Sequence, residues 1–221
     1  MDILYEIEHG RIRPSMALVD CVDSLFTGND EFILLDEQAV AYNTICREID
    51  LAGQKKTIIV KGGPGTGKSI ISFKVLHQLI DKRMNAKFIA PNEAFREVMV
   101  KKLIGSKVDK AKNIKPLFGG SGTFYGAPQN TYDVLVVDEA HRLKGKGAYM
   151  YQGDNQIQDI IHASRLNVFF IDDTQKVVPA DIGSVAEIRR IAESERSEVV
   201  EIELKAQFRC SGAEGFVNWV T

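Results

Sequence analysis

The segment Gly62-Gly63-Pro64-Gly65-Thr66-Gly67-Lys68-Ser69 spells G-x-x-x-x-G-K-[ST], and nothing else in the chain restricts its fold so tightly. The spacing serves a purpose only where a strand delivers the chain into a tight loop and a helix leads it away. Both flanks comply: Thr57-Ile58-Ile59-Val60 reads as a buried strand and Ser69 to Asp81 as a helix. The glycines, Gly63, Gly65 and Gly67, let the backbone around Thr66 curl, so that successive N–H groups and the positive end of the helix face a polyphosphate. Lys68 then reaches the terminal phosphates, and the Ser69 hydroxyl holds Mg2+.

Three more runs share the strand character of residues 57–60: Ala86-Lys87-Phe88-Ile89-Ala90, Val134-Leu135-Val136-Val137 and Val168-Phe169-Phe170-Ile171. Val199 to Leu204 makes a fifth strand. Continuous apolar runs belong to strands covered on both faces. With helices predicted over Ser69 to Asp81, Asn92 to Leu103 and Ser184 to Ala192, the alternation predicts a three-layer α/β fold around a mainly parallel five-stranded sheet. Upstream, Asp36 to about Leu51 reads as another helix, and Pro14-Ser15 opens a short amphipathic one through Leu25. The expected organisation is a helical N-terminal extension over residues 1–32 and a nucleotide-binding domain over 33–221. Residues 105–131, with several lysines and Gly119-Gly120-Ser121-Gly122, read either as a functional loop or as a missed strand.

Composition agrees: 221 residues, 44% apolar and 26% charged, make an ordinary globular chain and exclude a disordered or fibrous one. A formal charge of -2 means that any anionic partner must be held by a local patch. Cys21, Cys46 and Cys210 are far apart and lack a CxxC pair, so neither a disulfide framework nor zinc is indicated. The first residues are too acidic for a signal peptide, and no eighteen apolar residues run together. A cytoplasmic chain without a membrane partner is expected.

Val134 to Val137 lead into Asp138-Glu139-Ala140-His141, an acidic pair at the carboxyl end of a predicted parallel strand, where open α/β sheets place their sites. Asp138 can hold Mg2+ through its water shell, and Glu139 can orient or deprotonate an attacking water. A small-molecule kinase would not need such a base, and no N-K-x-D guanine-reading segment occurs. ATP with Mg2+ is therefore the expected ligand, and hydrolysis the expected reaction. His141 either touches the terminal phosphate or caps the turn; His9, His77 and His162 carry no partner pattern.

With these two motifs placed, the remaining pieces resemble superfamily 1 helicases, whose ATPase domain is RecA-like. Leu35-Asp36-Glu37-Gln38-Ala39-Val40-Ala41 is similar to the family's adenine-reading segment, which implies that Gln38 meets the adenine edge. Ile171-Asp172-Asp173-Thr174-Gln175 resembles the G-D-x-x-Q segment, with Ile171 in place of Gly, and gives Gln175 the role of sensing the terminal phosphate. Leu204-Lys205-Ala206-Gln207-Phe208-Arg209-Cys210-Ser211 is similar to the segment that supplies an arginine to that phosphate, which makes Arg209 the charge stabiliser. Glu93 stands where a strand-contacting segment carries lysine. The order of pieces looks most like the Schlafen-like DNA/RNA helicase domain group.

The resemblance implies single-stranded DNA or RNA as a partner, and a second RecA-like domain for translocation. Only twelve residues follow Arg209, so the second domain is expected to be absent; the chain is either a fragment of a longer protein, the favoured expectation, or a stand-alone ATPase, and alone it is expected to hydrolyse ATP poorly and not to unwind. The competing expectation is a nucleotide-gated switch without unwinding activity. Lys101, Lys102, Lys107, Lys110, Lys112 and Lys115, followed by Arg142, Lys144 and Lys146, form either a backbone-following patch or a solvated face. Phe124 and Tyr125 either stack on bases or pack in the core.

Overall fold

A computed structural model of the chain describes residues 34–51, 53–91, 115–149, 151–175 and 180–205, with Met16 and Glu97. The expected N-terminal helix apart from Met16, most of the helix expected over 92–103, most of the lysine-rich stretch and Arg209 lie outside the described residues.

In chain order the elements are α1 (Asp36–Asp50), β1 (Lys56–Gly62), α2 (Lys68–Asp81), β2 (Ala86–Ile89), β3 (Phe118–Gly119), β4 (Tyr132–Val137), α3 (Gln156–Ala163), β5 (Ser164–Ile171), α4 (Val185–Ser194) and β6 (Glu198–Leu204). The strands form one sheet in the order β3-β2-β4-β5-β1-β6, and every pairing is parallel. The sheet thus has six strands and not the expected five. The extra strand is β3, two residues inside the 105–131 stretch, pairing Phe118 with Phe88 and Gly119 with Ile89. Two residues are too few to show an apolar run, so only the missed-strand alternative hinted at it.

The expected helices over residues 36–51, 69–81 and 184–192 are present within a residue or two of their bounds. Helix α3 has no counterpart among them. It is eight residues long, starts on Asn155, whose Oδ1 accepts the Ile157 and Gln158 N–H groups at 2.9 and 3.3 Å, and runs into β5 without a turn. A helix this short with no closing Gly or Pro leaves little periodic signal. Strand β5 likewise begins at Ser164 and not Val168, because Arg165 and the buried Asn167 break its apolar run.

Alternate side chains of the sheet feed two cores. Ile58, Val60, Phe88, Val134, Val136, Val168 and Phe170 pack under α1 and α2, with Ala41, Ile45, Ile49, Ile71 and Leu79. Ile59, Ile89, Leu135, Val137, Phe169 and Ile171 pack on the opposite face against Ile157, Ile160 and Ile161 of α3 and Ile188 and Ile191 of α4. This is the three-layer arrangement, and it explains why the central strands lack polar alternation, which only the edge strand β6 shows. In the sheet order, β4, β5 and β1 are neighbours, so the loops that leave their carboxyl ends meet at one edge.

Phe88 is fully buried and stacks on Phe73 with ring centroids 4.6 Å apart, 8° from parallel. Phe88→Ala should lower unfolding stability by about 3–5 kcal/mol, through lost transfer energy and the cavity left between α2 and the sheet. Urea titration of the two chains checks this.

Candidate active site

Beyond Gly62 the chain leaves β1 and turns through Gly65 and Gly67, both left-handed at φ 81° and 88°. Such values suit glycine alone without strain. At Gly67 there is also no room: a Cβ there would run into the Gln38 amide. The Thr66 hydroxyl donates to the Gly63 carbonyl at 3.0 Å. Lys68, the first residue of α2, is buried; its Nζ donates to the carbonyls of Gly62 and Gly63 at 2.8 Å each and stands 4.0 Å from Asp172 Oδ2. The ammonium therefore lies under the loop, facing the end of β5.

Asp138 follows β4 and is wholly buried. Its Oδ1 accepts the Glu139 N–H at 3.0 Å, while Oδ2 has no hydrogen-bond partner. Burial pushes its pKa up to about 6, against the opposing pull of the Ser69 hydroxyl and the Lys68 charge. Those influences place Ser69, Lys68 and Asp138 in one cluster.

Glu139 adopts φ 54°, ψ 42°, a left-handed conformation that costs a non-glycine residue on the order of 1–2 kcal/mol. The turn directs its carboxylate to His141, whose Nε2 lies 3.1 Å from Oε2, with Arg142 Nε at 3.6 Å. His141 holds the Glu139 carboxyl below the usual range, and Lys68 and Arg142 add to the effect. The His141 ring, expected either to touch the terminal phosphate or to cap the turn, is 1% exposed and set against Glu139 within that turn.

Asp172, which the sequence marks only by its spacing from Gln175, stands directly after β5. Its Oδ1 accepts the Thr174 N–H and hydroxyl at 3.1 and 2.6 Å, and its Oδ2 faces Lys68. An acid directly after a strand adjacent to β1 was the available signal. Gln175 is half-buried in the same turn and donates its N–H to the Asp172 carbonyl at 3.2 Å. The 180–184 stretch closes over this edge: a Cβ on Gly183 would run into the Ala140 carbonyl, and the Ile182 N–H donates to the Leu143 carbonyl at 2.8 Å.

Gln38 is 3% exposed. Its Nε2 donates to the Thr66 carbonyl at 3.2 Å, and its Oε1 accepts the Leu35 N–H at 3.1 Å. Both ends of the amide are thus engaged by backbone, on the outer side of the loop. Phe124 is in the core, edge-on to Tyr132, whereas Tyr125 is 53% exposed, which divides the pair that the sequence left undecided. Lys144 and Lys146 pair with Asp181 and Asp154.

A family model for the Schlafen group 3, DNA/RNA helicase domain matches residues 55–221. The chain belongs to this family. The fold of this Schlafen group 3 domain is that of the RecA-like P-loop NTPases. Among solved structures it is similar to the Pif1 helicase from Candida albicans, with 18% identity, a TM-score of 0.47, and 84% of this chain covering 43% of that one. DnaA from Aquifex aeolicus, bound to AMPPCP, gives 16% identity and a TM-score of 0.43, with 82% of this chain covering 53% of that one. The Hef helicase domain from Pyrococcus furiosus gives 15% and 0.45, with 76% of this chain covering 37% of that one. This chain thus spans about half the length of these structures or less. A comparison with curated proteins found no match. Among the described residues no helix is long and apolar enough to cross a membrane.

The residues present fit a magnesium ion. Asp138 offers a buried oxygen without a partner, beside the Ser69 hydroxyl, and Mg2+ commonly takes one or two protein oxygens and completes its shell with phosphate and water.

A carboxyl whose pKa stands at about 6 instead of 3.8 costs the folded state about 3 kcal/mol when ionised. The raised folded value means that this cost is absent below pH 3.8, grows as pH rises, and is complete above about 6. In EDTA, Asp138→Asn should therefore melt higher than the unsubstituted chain at pH 7.5, and the gap should shrink towards pH 4.5. Thermal unfolding at both pH values reads it.

Proposed function

We propose that this Schlafen group 3 domain binds Mg-ATP where the ends of β1, β4 and β5 meet, and hydrolyses it. One observation carries the reading: the buried Lys68 ammonium lies beneath the loop within 4.0 Å of Asp172, with Ser69 and the unpartnered Asp138 oxygen beside it. Such a cluster has no better occupant than a polyphosphate with its divalent cation.

In this reading the loop N–H groups of Gly63 and of Gly65 to Ser69 cradle the phosphates, and Lys68 exchanges its bonds to the Gly62 and Gly63 carbonyls for terminal phosphate oxygens. Ser69 and Asp138 hold the magnesium ion, which when bound neutralises charge developing on the phosphate oxygens. Glu139 orients the attacking water, Gln175 senses the terminal phosphate from the β5 turn, and Arg209 supplies the stabilising cation in the same chain. Gln38 keeps one amide hydrogen and one carbonyl lone pair after its bonds to Thr66 and Leu35, so it meets the adenine edge while also bracing the loop.

Single-stranded DNA or RNA is the proposed partner and a second RecA-like domain the proposed companion, on the strength of family membership. A nucleotide-gated switch is the competing outcome; single-turnover measurement separates the two, because a switch would retain ATP unhydrolysed.

Glu139→Gln should bind Mg-ATP within a few-fold of the unsubstituted affinity and lose turnover by about 100-fold or more. Titration calorimetry paired with phosphate release tests this, and undiminished hydrolysis would remove Glu139 from its role. Gln38→Ala should weaken ATP about threefold to tenfold, and GTP less. Equal losses for the two nucleotides would confine Gln38 to bracing the loop.

A further inference from the structure

Strand β6 pairs with β1 as far as Gly62 opposite Leu204. There the ladder runs out, because the next residues of β1 have already curled into the phosphate loop. The closeness of the two chains at that point is tight: a Cβ on Gly62 would lie 3.1 Å from Leu204 Cβ. The next N–H of β6, that of Lys205, finds its acceptor elsewhere, in Glu37 Oε2 at 3.1 Å, across 168 residues of sequence. Charge-assisted bonds from a carboxylate to a backbone N–H are the stronger kind.

Glu37 is adjacent to Gln38, and successive helical residues point about 100° apart, so one turn of α1 reaches in two directions. Gln38 takes the Thr66 carbonyl of the loop while Glu37 takes the end of β6. The turn is itself fixed, because Ala41, Ile45 and Ile49 seat α1 in the core. The loop at Thr66 and the point from which the chain leaves β6 are therefore both held to one fixed turn. Arg209 follows Lys205 by four residues.

We propose that the first turn of α1 is a brace between the phosphate loop and the exit of β6, and that Glu37 is a positioning residue for hydrolysis that never touches the nucleotide. This rests on the ATP-hydrolase reading given above. Removing the carboxylate leaves nucleotide contacts in place but releases the Lys205 amide, four residues before Arg209, so the loss falls on turnover and not on affinity.

The test compares Glu37→Ala, Glu37→Gln and Glu37→Asp in the full chain by ATP turnover, by amide hydrogen exchange at Lys205 and by thermal unfolding. Glu37→Ala should lower kcat about tenfold with KM for Mg-ATP within about twofold, and expose the Lys205 amide to exchange. Glu37→Gln, whose amide oxygen still accepts a hydrogen bond, should recover part of both, so that kcat ranks with Lys205 protection across the series. In the Glu37→Ala background, Arg209→Ala should cost clearly less than it does alone, since residues acting as one unit are not additive. Full turnover in Glu37→Ala with an exposed Lys205 amide overturns this inference alone, as does unchanged Lys205 protection throughout the series. Multiplicative losses with Arg209→Ala also overturn it. An unsubstituted chain that never turns over ATP overturns the hydrolase reading and this inference with it.

Discussion

The buried Lys68 ammonium is the tie on which the working edge of the sheet depends. A lysine with its head out of water is tolerated only with full compensation, and here two loop carbonyls and the Asp172 carboxylate provide it. Because Lys68 opens α2, the same residue sets the helix against β1 and pins the loop between them. Removing one partner of a buried pair of this kind costs about 3–5 kcal/mol, far more than the fraction of a kcal/mol typical of surface ion pairs such as Lys146 with Asp154. The edge is thus held by few groups, each of which matters. Two wholly or nearly buried carboxylates, Asp138 and Asp172, face this single ammonium. Burial, with the neighbouring Glu139 charge adding to it, raises the pKa of Asp138, and a wholly buried carboxylate with too little positive charge beside it suits a divalent cation.

What brings these groups together is strand order and not proximity in sequence. Residues 62–68, 138–139 and 172–175 are far apart along the chain, yet β1, β5 and β4 are consecutive in the sheet. Parallel crossovers put every carboxyl end on one side, so three loops meet without any long-range side-chain pairing having to specify it. The two margins of the edge are then secured differently. On the β6 side, α1 reaches across with Gln38 and Glu37. On the β4 side, the stretch at Gly183 lies so close to Ala140 that a side chain could not be accommodated, and the Lys144–Asp181 pair fastens it.

Much of this was legible in the residues. The glycine-rich loop, its flanking strand and helix, and the acid pair after β4 all announce themselves, because their chemistry demands particular residue types at short spacing. The four central strands were visible because burial on both faces leaves largely apolar runs, whereas the edge strand β6 showed itself through its β-branched residues alternating with glutamates. What was not legible is what depends on pairing at a distance. Strand β3 exists only because Phe88 and Ile89 offer it an edge, and α3 only because Asn155 caps a helix too short to show a period. Gln38 illustrates the same limit at a site: family resemblance assigns it a base, whereas its contacts with Thr66 and Leu35 arise from where α1 docks. Glu37 gave no signal at all, since its partner is a backbone N–H.

The state of Glu139 bears on how hydrolysis would proceed. A carboxylate held below its ordinary pKa by His141, Lys68 and Arg142 is a weak proton acceptor, and it gains little by taking a proton from water early in the reaction. It remains a firm hydrogen-bond acceptor, and the left-handed turn at its own backbone fixes the direction in which it accepts. Phosphoryl transfer through a loose transition state asks for orientation and charge stabilisation more than for a strong base. The strained turn, the buried histidine against the carboxylate and the depressed pKa fit one another: under the proposed hydrolysis they would make Glu139 a fixed, ionised acceptor that aligns water, with the proton leaving only after the bond to phosphorus had formed.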